Sequence, residues 1–218
     1  MSDQALVRLG SLSIRVLSVS TMQNNVYLIT HTESGAQVLI DAAADAPAIG
    51  QLIEAGARDV TTDAPTRVGV IVTTHGHWDH VRALAEVKQS TGASTCCGTD
   101  DASSIEVPMD FTLEDGDVGA FAGFELLAIG LRGHTPGSIA LALEVAGHPV
   151  HLFTGDSLFP GGPGRTTNPD DFRSLMRDLE DRVFAKYPDD TLVLPGHGLP
   201  TTLGAERPQL SEWWARGW

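Results

Sequence analysis

What the chain has little of narrows its chemistry first. It carries 14 basic side chains against 28 acidic ones, a formal charge of −14. It therefore lacks the cationic surface that neutralises phosphates, and nucleic acid and anionic membranes are disfavoured as partners. No apolar stretch reaches the roughly 18 residues a transmembrane helix needs. The opening MSDQALVRLG has no basic flank, apolar run or small-residue cleavage pattern of a secretory leader. A cytoplasmic protein acting on a small molecule is the expectation. Cysteine is scarce too: the two present, Cys96 and Cys97, are neighbours. Adjacent cysteines bridge only in a strained ring, so they read as two core thiols in a reducing compartment.

The 218 residues, 42% of them hydrophobic, suffice for one large core, and the chain reads as a single domain over 1–218. Short β-branched runs at 14–19, 25–30 and 37–40 suggest an antiparallel meander. A helical pattern follows from Pro47 to Ala55, with Gly56 suited to its C-cap. The continuous run Val68-Gly69-Val70-Ile71-Val72 predicts a buried strand, and Asp79 is placed to cap a helix carrying Val81, Leu84, Ala85 and Val87, which Thr91-Gly92 stops. Strands near 93–97, 123–129, 138–145 and 150–154, a helix over 169–184 and a strand over 191–194 repeat the same alternation. A layered α/β fold follows, with sheets inside and helices outside.

That buried strand delivers the chain into His75-Gly76-His77-Trp78-Asp79-His80, three imidazoles and a carboxylate in six of the residues. Helical zinc motifs space their histidines by four; here the spacing is two. In extended backbone, alternate side chains share a face, so His75 and His77 converge on one ion while Asp79 and His80 aim elsewhere. Two ions are the natural outcome. A first-row divalent metal takes about four to six ligands, more than these side chains supply. Three further places fit, each a Gly-rich turn at a strand end: Gly133-His134-Thr135-Pro136-Gly137, Gly155-Asp156-Ser157 and Gly196-His197-Gly198. A lone loop histidine is more often a surface residue than a ligand, but four strand-end sites in one chain argue otherwise.

The series H-x-H-x-D-H, GHTPGS, TGDSLF and PGHG resembles the metallo-β-lactamase superfamily from about Asn25 to His197, and within it the glyoxalase II-like hydrolases. The resemblance implies a four-layer αβ/βα sandwich with a two-metal site at one edge. It implies that His75, His77 and His134 hold one ion, that Asp79, His80 and His197 hold the other, and that Asp156 bridges them. It also makes Asp79 and Asp156 the carboxylates of the catalytic centre. Superfamily β-lactamases generally carry cysteine or serine where Asp156 stands, whereas aspartate is typical of the thioesterase-like branches. Zinc is the expected metal, with iron and manganese suited to the same donors.

Coordination lowers the pKa of water to about 7, which makes hydroxide attack on an acyl carbon the economical reaction. A thiol, with a pKa of about 8.5, leaves as the thiolate, whereas an amine must be protonated as it departs. No dedicated general acid is evident beside the ligands, so an acyl-thiol is the expected substrate. The thiol carrier stays open, because longer glyoxalase II enzymes grip glutathione with a C-terminal helical domain and only about twenty residues follow His197 here. Three other readings stand beside this one: a persulfide dioxygenase with one iron at His75, His77, His134 and Asp156, a lactonase, and a metal-binding scaffold without catalysis.

Some residues carry weaker readings. Gly161-Gly162-Pro163-Gly164-Arg165-Thr166 resembles a G-x-G-R-T loop of short glyoxalase II-like enzymes, and Arg165 either meets a substrate carboxylate or braces the loop. Asp41 either supports a ligand histidine or serves a turn. His31, His148 and His151 match no motif and read as turn or surface residues. The tail over 199–218 holds Trp213, Trp214 and Trp218, three of the four tryptophans. It either packs on the domain or meets a second subunit, so monomer and homodimer both remain.

Overall fold

The computed structural model describes residues 5–217. Trp218 of the tail and the first four residues of the opening stretch lie outside the described residues. The first sheet has seven strands in sequence order: β1 (Ala5–Leu9), β2 (Leu12–Val19), β3 (Asn24–His31), β4 (Ala36–Ile40), β5 (Arg67–Thr73), β6 (Ser94–Gly98) and β7 (Phe111–Leu113). β1 to β4 form the expected antiparallel meander; β4 to β7 run parallel. The second sheet comprises β8 (Val118–Phe121), β9 (Phe124–Gly130), β10 (Ile139–Leu143) and β11 (His151–Gly155). After a small hairpin of β12 (Leu158–Phe159) and β13 (Gly162–Pro163), it is completed by β14 (Leu192–Pro195) beside β11 and by β15 (Thr201–Thr202) at the edge. Helices α1 (Ala46–Ala57) and α2 (Leu84–Thr91) cover the first sheet. Helices α3 (Pro169–Asp178), α4 (Leu203–Glu206) and α5 (Leu210–Arg216) belong to the second half, and α3, α4 and α5 contribute core residues to the second sheet's outer face.

Strand alternation builds these layers. Tyr27, Ile29, Val70, Val72 and Cys96 face inward and meet Leu126, Ala128, Leu141 and Phe153 of the second sheet. Their neighbours Leu28, Ile71 and Cys97 face outward into a second core with Ile49, Leu52, Leu84 and Val87. A third core joins Ala140, Ala142, Leu152 and Val193 to Leu175, Met176 and Trp213. Because side chains alternate across a pleated strand, one apolar run serves two cores, which is why these strands read as continuously hydrophobic. The result is one αβ/βα sandwich. Cys96 and Cys97 thus split between two cores; both are free thiols, and burial pushes each up to about 12.

Several expectations change. Gly56 does not cap α1: the helix continues to Ala57, and Gly56 is buried where a Cβ would collide with Leu28, Gln37 and Thr30, so glycine serves helix-to-sheet approach. Asp79 does not cap α2, whose N-cap is Ala83 without a side-chain bond; Asp79 lies instead in the short turn Trp78–His80 with its carboxylate turned to Asn24. The helix expected over 169–184 is α-helical only to Asp178 and continues as a wider π-turn over Leu179–Phe184. His31 and His151 are buried strand residues: both His31 ring nitrogens meet the Ser34 and Ser11 hydroxyls, whereas His151 has only Nδ1 bonded, to the Pro149 carbonyl, with Nε2 buried and unbonded; His148 is exposed. Trp213 is buried beside Phe184, and Trp214 donates to Glu180. Among the described residues, no helix is long and apolar enough to cross a membrane.

Candidate metal centre

The ends of β4, β5, β11 and β14 and the loop joining β9 to β10 meet at one edge of the sandwich. Main-chain bonds stitch them together: Ile139 N donates to Thr74 O at 2.9 Å, and Asn25 N to Gly196 O at 2.7 Å. Every donor predicted from the motifs arrives here. His75, His77 and His134 form one triplet, with ring centroids 4.5 to 4.8 Å apart. β5 has already ended at Thr73, so His75 and His77 converge from a bend and not from the strand itself. Asp79, His80 and His197 form a second triplet. His80 Nε2 lies 3.1 Å from His197 Nε2 and 3.6 Å from Asp79 Oδ2, and His197 Nε2 lies 3.3 Å from Asp79 Oδ2.

Asp156 stands between the triplets. Its Oδ1 is 3.4 Å from His80 Nε2, and its Oδ2 is 3.4 Å from His197 Nε2 and 3.7 Å from His134 Nε2. Donors about 2.0–2.1 Å from a tetrahedral zinc stand about 3.3–3.4 Å from one another, so these separations match the edges of a coordination shell. Three donor atoms, His75 Nε2, His134 Nε2 and Asp156 Oδ1, are buried without a hydrogen-bond partner. Orphaned buried polar atoms are costly unless something else satisfies them. A divalent cation does so, and the donor set fits one.

In four of the five histidines the other ring nitrogen is already taken. Nδ1 of His75 meets Thr74 Oγ1, Nδ1 of His134 the Arg165 carbonyl at 2.7 Å, and Nδ1 of His197 the Met22 carbonyl at 2.8 Å. Nδ1 of His80 meets Asp41 Oδ2 at 2.8 Å. Such outer partners fix which nitrogen faces the ion. Asp41, 1% exposed, also accepts from the Thr74 amide and hydroxyl, so it supports both a donor and the loop. Burial, with His80 close by, holds His75 well below its ordinary pKa, and burial lowers His134 as well. Burial also opposes charge on His80, but Asp41 and Asp156 outweigh it and push it up to about 10. For His197, Asp156 likewise overcomes burial and raises the pKa. Burial favours the neutral Asp156 acid, yet His197 and His80 hold its carboxyl far below the carboxylate range.

Motif spacing overlooked several participants. Asn24 donates to the Asp79 carboxylate at 2.9 Å and to its main-chain oxygen. Thr74, the Met22 carbonyl and Asp101 also lie outside the quoted motifs' donor positions. The doubled Asn24-Asn25 at a strand start was the one available signal. The Arg165 side chain is exposed, and its main-chain oxygen is what touches a donor.

A family model described as the metallo-beta-lactamase superfamily matches residues 19–197. The chain belongs to that superfamily. Hydroxyacylglutathione hydrolase GloC of Haemophilus influenzae is 30% identical, over 90% of this chain and 95% of that one. Hydroxyacylglutathione hydrolase of Pseudomonas syringae is 32% identical over 80% of this chain but only 61% of its own length, so some relatives are considerably longer. Among solved structures, TTHA1623 in a di-iron-bound form superposes with a TM-score of 0.65 at 28% identity, over 88% of this chain and 96% of that one. Superfamily membership, these hydrolase relatives and the clustered donors make the chain a metal-dependent hydrolase.

Proposed function

We propose that the chain is a two-ion thioesterase of the hydroxyacylglutathione hydrolase kind. The observation that carries this reading is Asp156, whose two oxygens reach donors of both triplets. His75, His77 and His134 would hold one ion, Asp79, His80 and His197 the other, and Asp156 both. When bound, divalent cations supply Lewis acidity, lowering the pKa of water and polarising an acyl oxygen. Zinc is the proposed metal, and iron or manganese would accept the same donors.

The chain's own residues do the rest. With Nδ1 of four histidines held by protein acceptors, their Nε2 atoms face inward and need no reorganisation when a ligand arrives. The carboxylates of Asp79 and Asp156 would offset only part of the charge of two bound cations, so a site held this way would stay positive toward an acyl oxygen. The side chains gathered at the centre are imidazoles and carboxylates, and a leaving group that departs as an anion, as a thiolate does, suits such a site. The name of the Haemophilus relative supports the same substrate class. Arg165, exposed on the loop whose carbonyl holds His134, is the proposed contact for a carboxylate on the substrate. We further propose that the chain forms one functional domain over 1–218. It would work on small molecules in the cytoplasm, where its two buried thiols stay reduced.

The test is a panel of acyl-thiol, amide and lactone analogues with elemental analysis of protein purified without added metal. Thiol release far faster than amide cleavage, at two metals per chain, is the expected result. Equal turnover of thioester and amide would sink the substrate assignment. One iron per chain with oxygen uptake and no thioester cleavage would replace hydrolysis by persulfide oxidation.

A further inference from the structure

Outside the seven donors, one buried carboxylate touches both loops that build the first triplet. Asp101 is 2% exposed and lies in the turn Thr99–Ser104 that follows β6. Its Oδ2 accepts from the Gly76 amide at 2.7 Å and from the Thr135 hydroxyl at 2.6 Å; its Oδ1 accepts from the Gly137 amide at 2.7 Å. Gly76 lies between His75 and His77 on the segment leaving the first sheet. Thr135 follows His134 in the loop of the second sheet. One side chain therefore ties together the two segments, from different sheets, whose histidines must meet at one point.

The packing around this carboxylate is tight enough to transmit position. A Cβ at Gly76 would strike Ser104 Oγ, one at Gly137 would strike the Asp101 backbone, and one at Gly98 would strike the Gly137 carbonyl. The backbones at Gly98–Asp101 and Gly137 thus touch with no side chain between them, and the Gly76 segment packs directly on the Ser104 and Asp101 side chains. An ionised carboxylate accepts only, and its bonds to N–H and O–H donors are stronger and shorter than neutral ones. Three such bonds fix the path of the chain on either side of His75, His77 and His134. By contrast, none of these bonds reaches Asp79, His80 or His197, and the carboxylate touching that triplet from outside is Asp41.

We propose that Asp101 is the positioning residue of the first half-site, holding His75 and His77 at the distance from His134 that one ion requires. This rests on the metal-centre reading above. Loss of an outer partner of a metal site costs about 10–100-fold in affinity, and the cost of losing Asp101 should fall on the first half-site alone.

Cobalt(II) titrations followed by calorimetry and visible absorption test this on the whole chain. His77→Ala and His197→Ala mark which binding class belongs to which triplet. Asp101→Asn is close to isosteric but turns an amide N–H₂ toward donors; Thr135→Val removes one of the three bonds to Asp101, together with the contact to the Ser138 hydroxyl. The expected result is that Asp101→Asn weakens the class abolished by His77→Ala by at least about tenfold, leaves the class abolished by His197→Ala within a factor of about two, and unfolds cooperatively. Thr135→Val should weaken the same class by less. Equal weakening of both classes, or no change in either, would overturn the proposal. The wild-type stoichiometry separately tests the two-ion reading: if only one cobalt binds, that reading fails, and the Asp101 proposal is then judged on whether Asp101→Asn weakens the ion that His77→Ala abolishes.

Discussion

The two donor triplets share imidazoles but differ in the carboxylates in and around them. The first half, His75, His77 and His134, is assembled across both sheets, and neutral acceptors, the Thr74 hydroxyl and the Arg165 carbonyl, hold the outer nitrogens of two rings. Burial then holds His75 and His134 below their ordinary pKa, which favours the neutral imidazole that can donate to an ion. The second half, Asp79, His80 and His197, has carboxylates built into it and around it. Asp41 grips His80 from outside and Asp156 faces both of its rings. Carboxylate support makes an imidazole a stronger donor, but it also makes it hold a proton more tightly. The pair shows how histidines are tuned by the carboxylates that face them: Asp41 and Asp156 raise His80, and Asp156 raises His197 although its own outer partner is the neutral Met22 carbonyl.

Breaking the joint between the halves should have the largest effect. Asp156→Asn removes the anionic donor shared by both triplets, so kcat/KM for thioester should fall by more than the roughly 100-fold that an outer partner accounts for, with metal content reduced in both classes. Elemental analysis alongside kinetics checks this, and a variant retaining both ions and near-normal turnover would refute the bridging role. Asp41→Asn should act mainly on the second half, weakening its class by about 10–100-fold in metal titrations, with a smaller loss in the first class passed through Thr74, which Asp41 also holds beside His75.

A smaller effect, readable by dialysis at stepped pH, sharpens the contrast. An ion needs neutral imidazole, so protons compete for each ring from its own pKa downward. His80, pushed up to about 10, and His197, also raised, take protons as pH falls before the lowered His75 and His134 do. The second half should therefore lose its ion at a higher pH than the first. In Asp41→Asn, where one of the two charges that raise His80 is gone, the pH dependence of the second class should become shallower. Loss of both ions at one pH, or of the first before the second, would contradict this tuning.

The layered fold and all the clustered donors were legible because they rest on local pattern. Apolar runs of strand length alternate with helical periodicity, and each donor follows a strand in a Gly-rich turn. What the pattern hid depends on tertiary contact. Gly56 reads as a helix stop until Leu28 and Thr30 are seen pressed against it. Asp79 has the composition of an N-cap, and only the arrival of Asn24 and His197 from distant strands shows where its carboxylate turns. Asp101 sits 25 or more residues from the groups it binds, so no spacing could mark it. Arg165 holds His134 through a main-chain oxygen, which has no residue signature at all. The three-residue β7 and two-residue β15 are too short for alternation to show.

Thioester hydrolysis measured during stepwise metal loading addresses the central claim most directly. Stripped protein is titrated with zinc, thiol release is followed at each step, and bound metal is counted. The two-ion account predicts little turnover at one equivalent and a rise to full rate as the second is bound. Full thioesterase activity at a single equivalent, unchanged by the second, would contradict it.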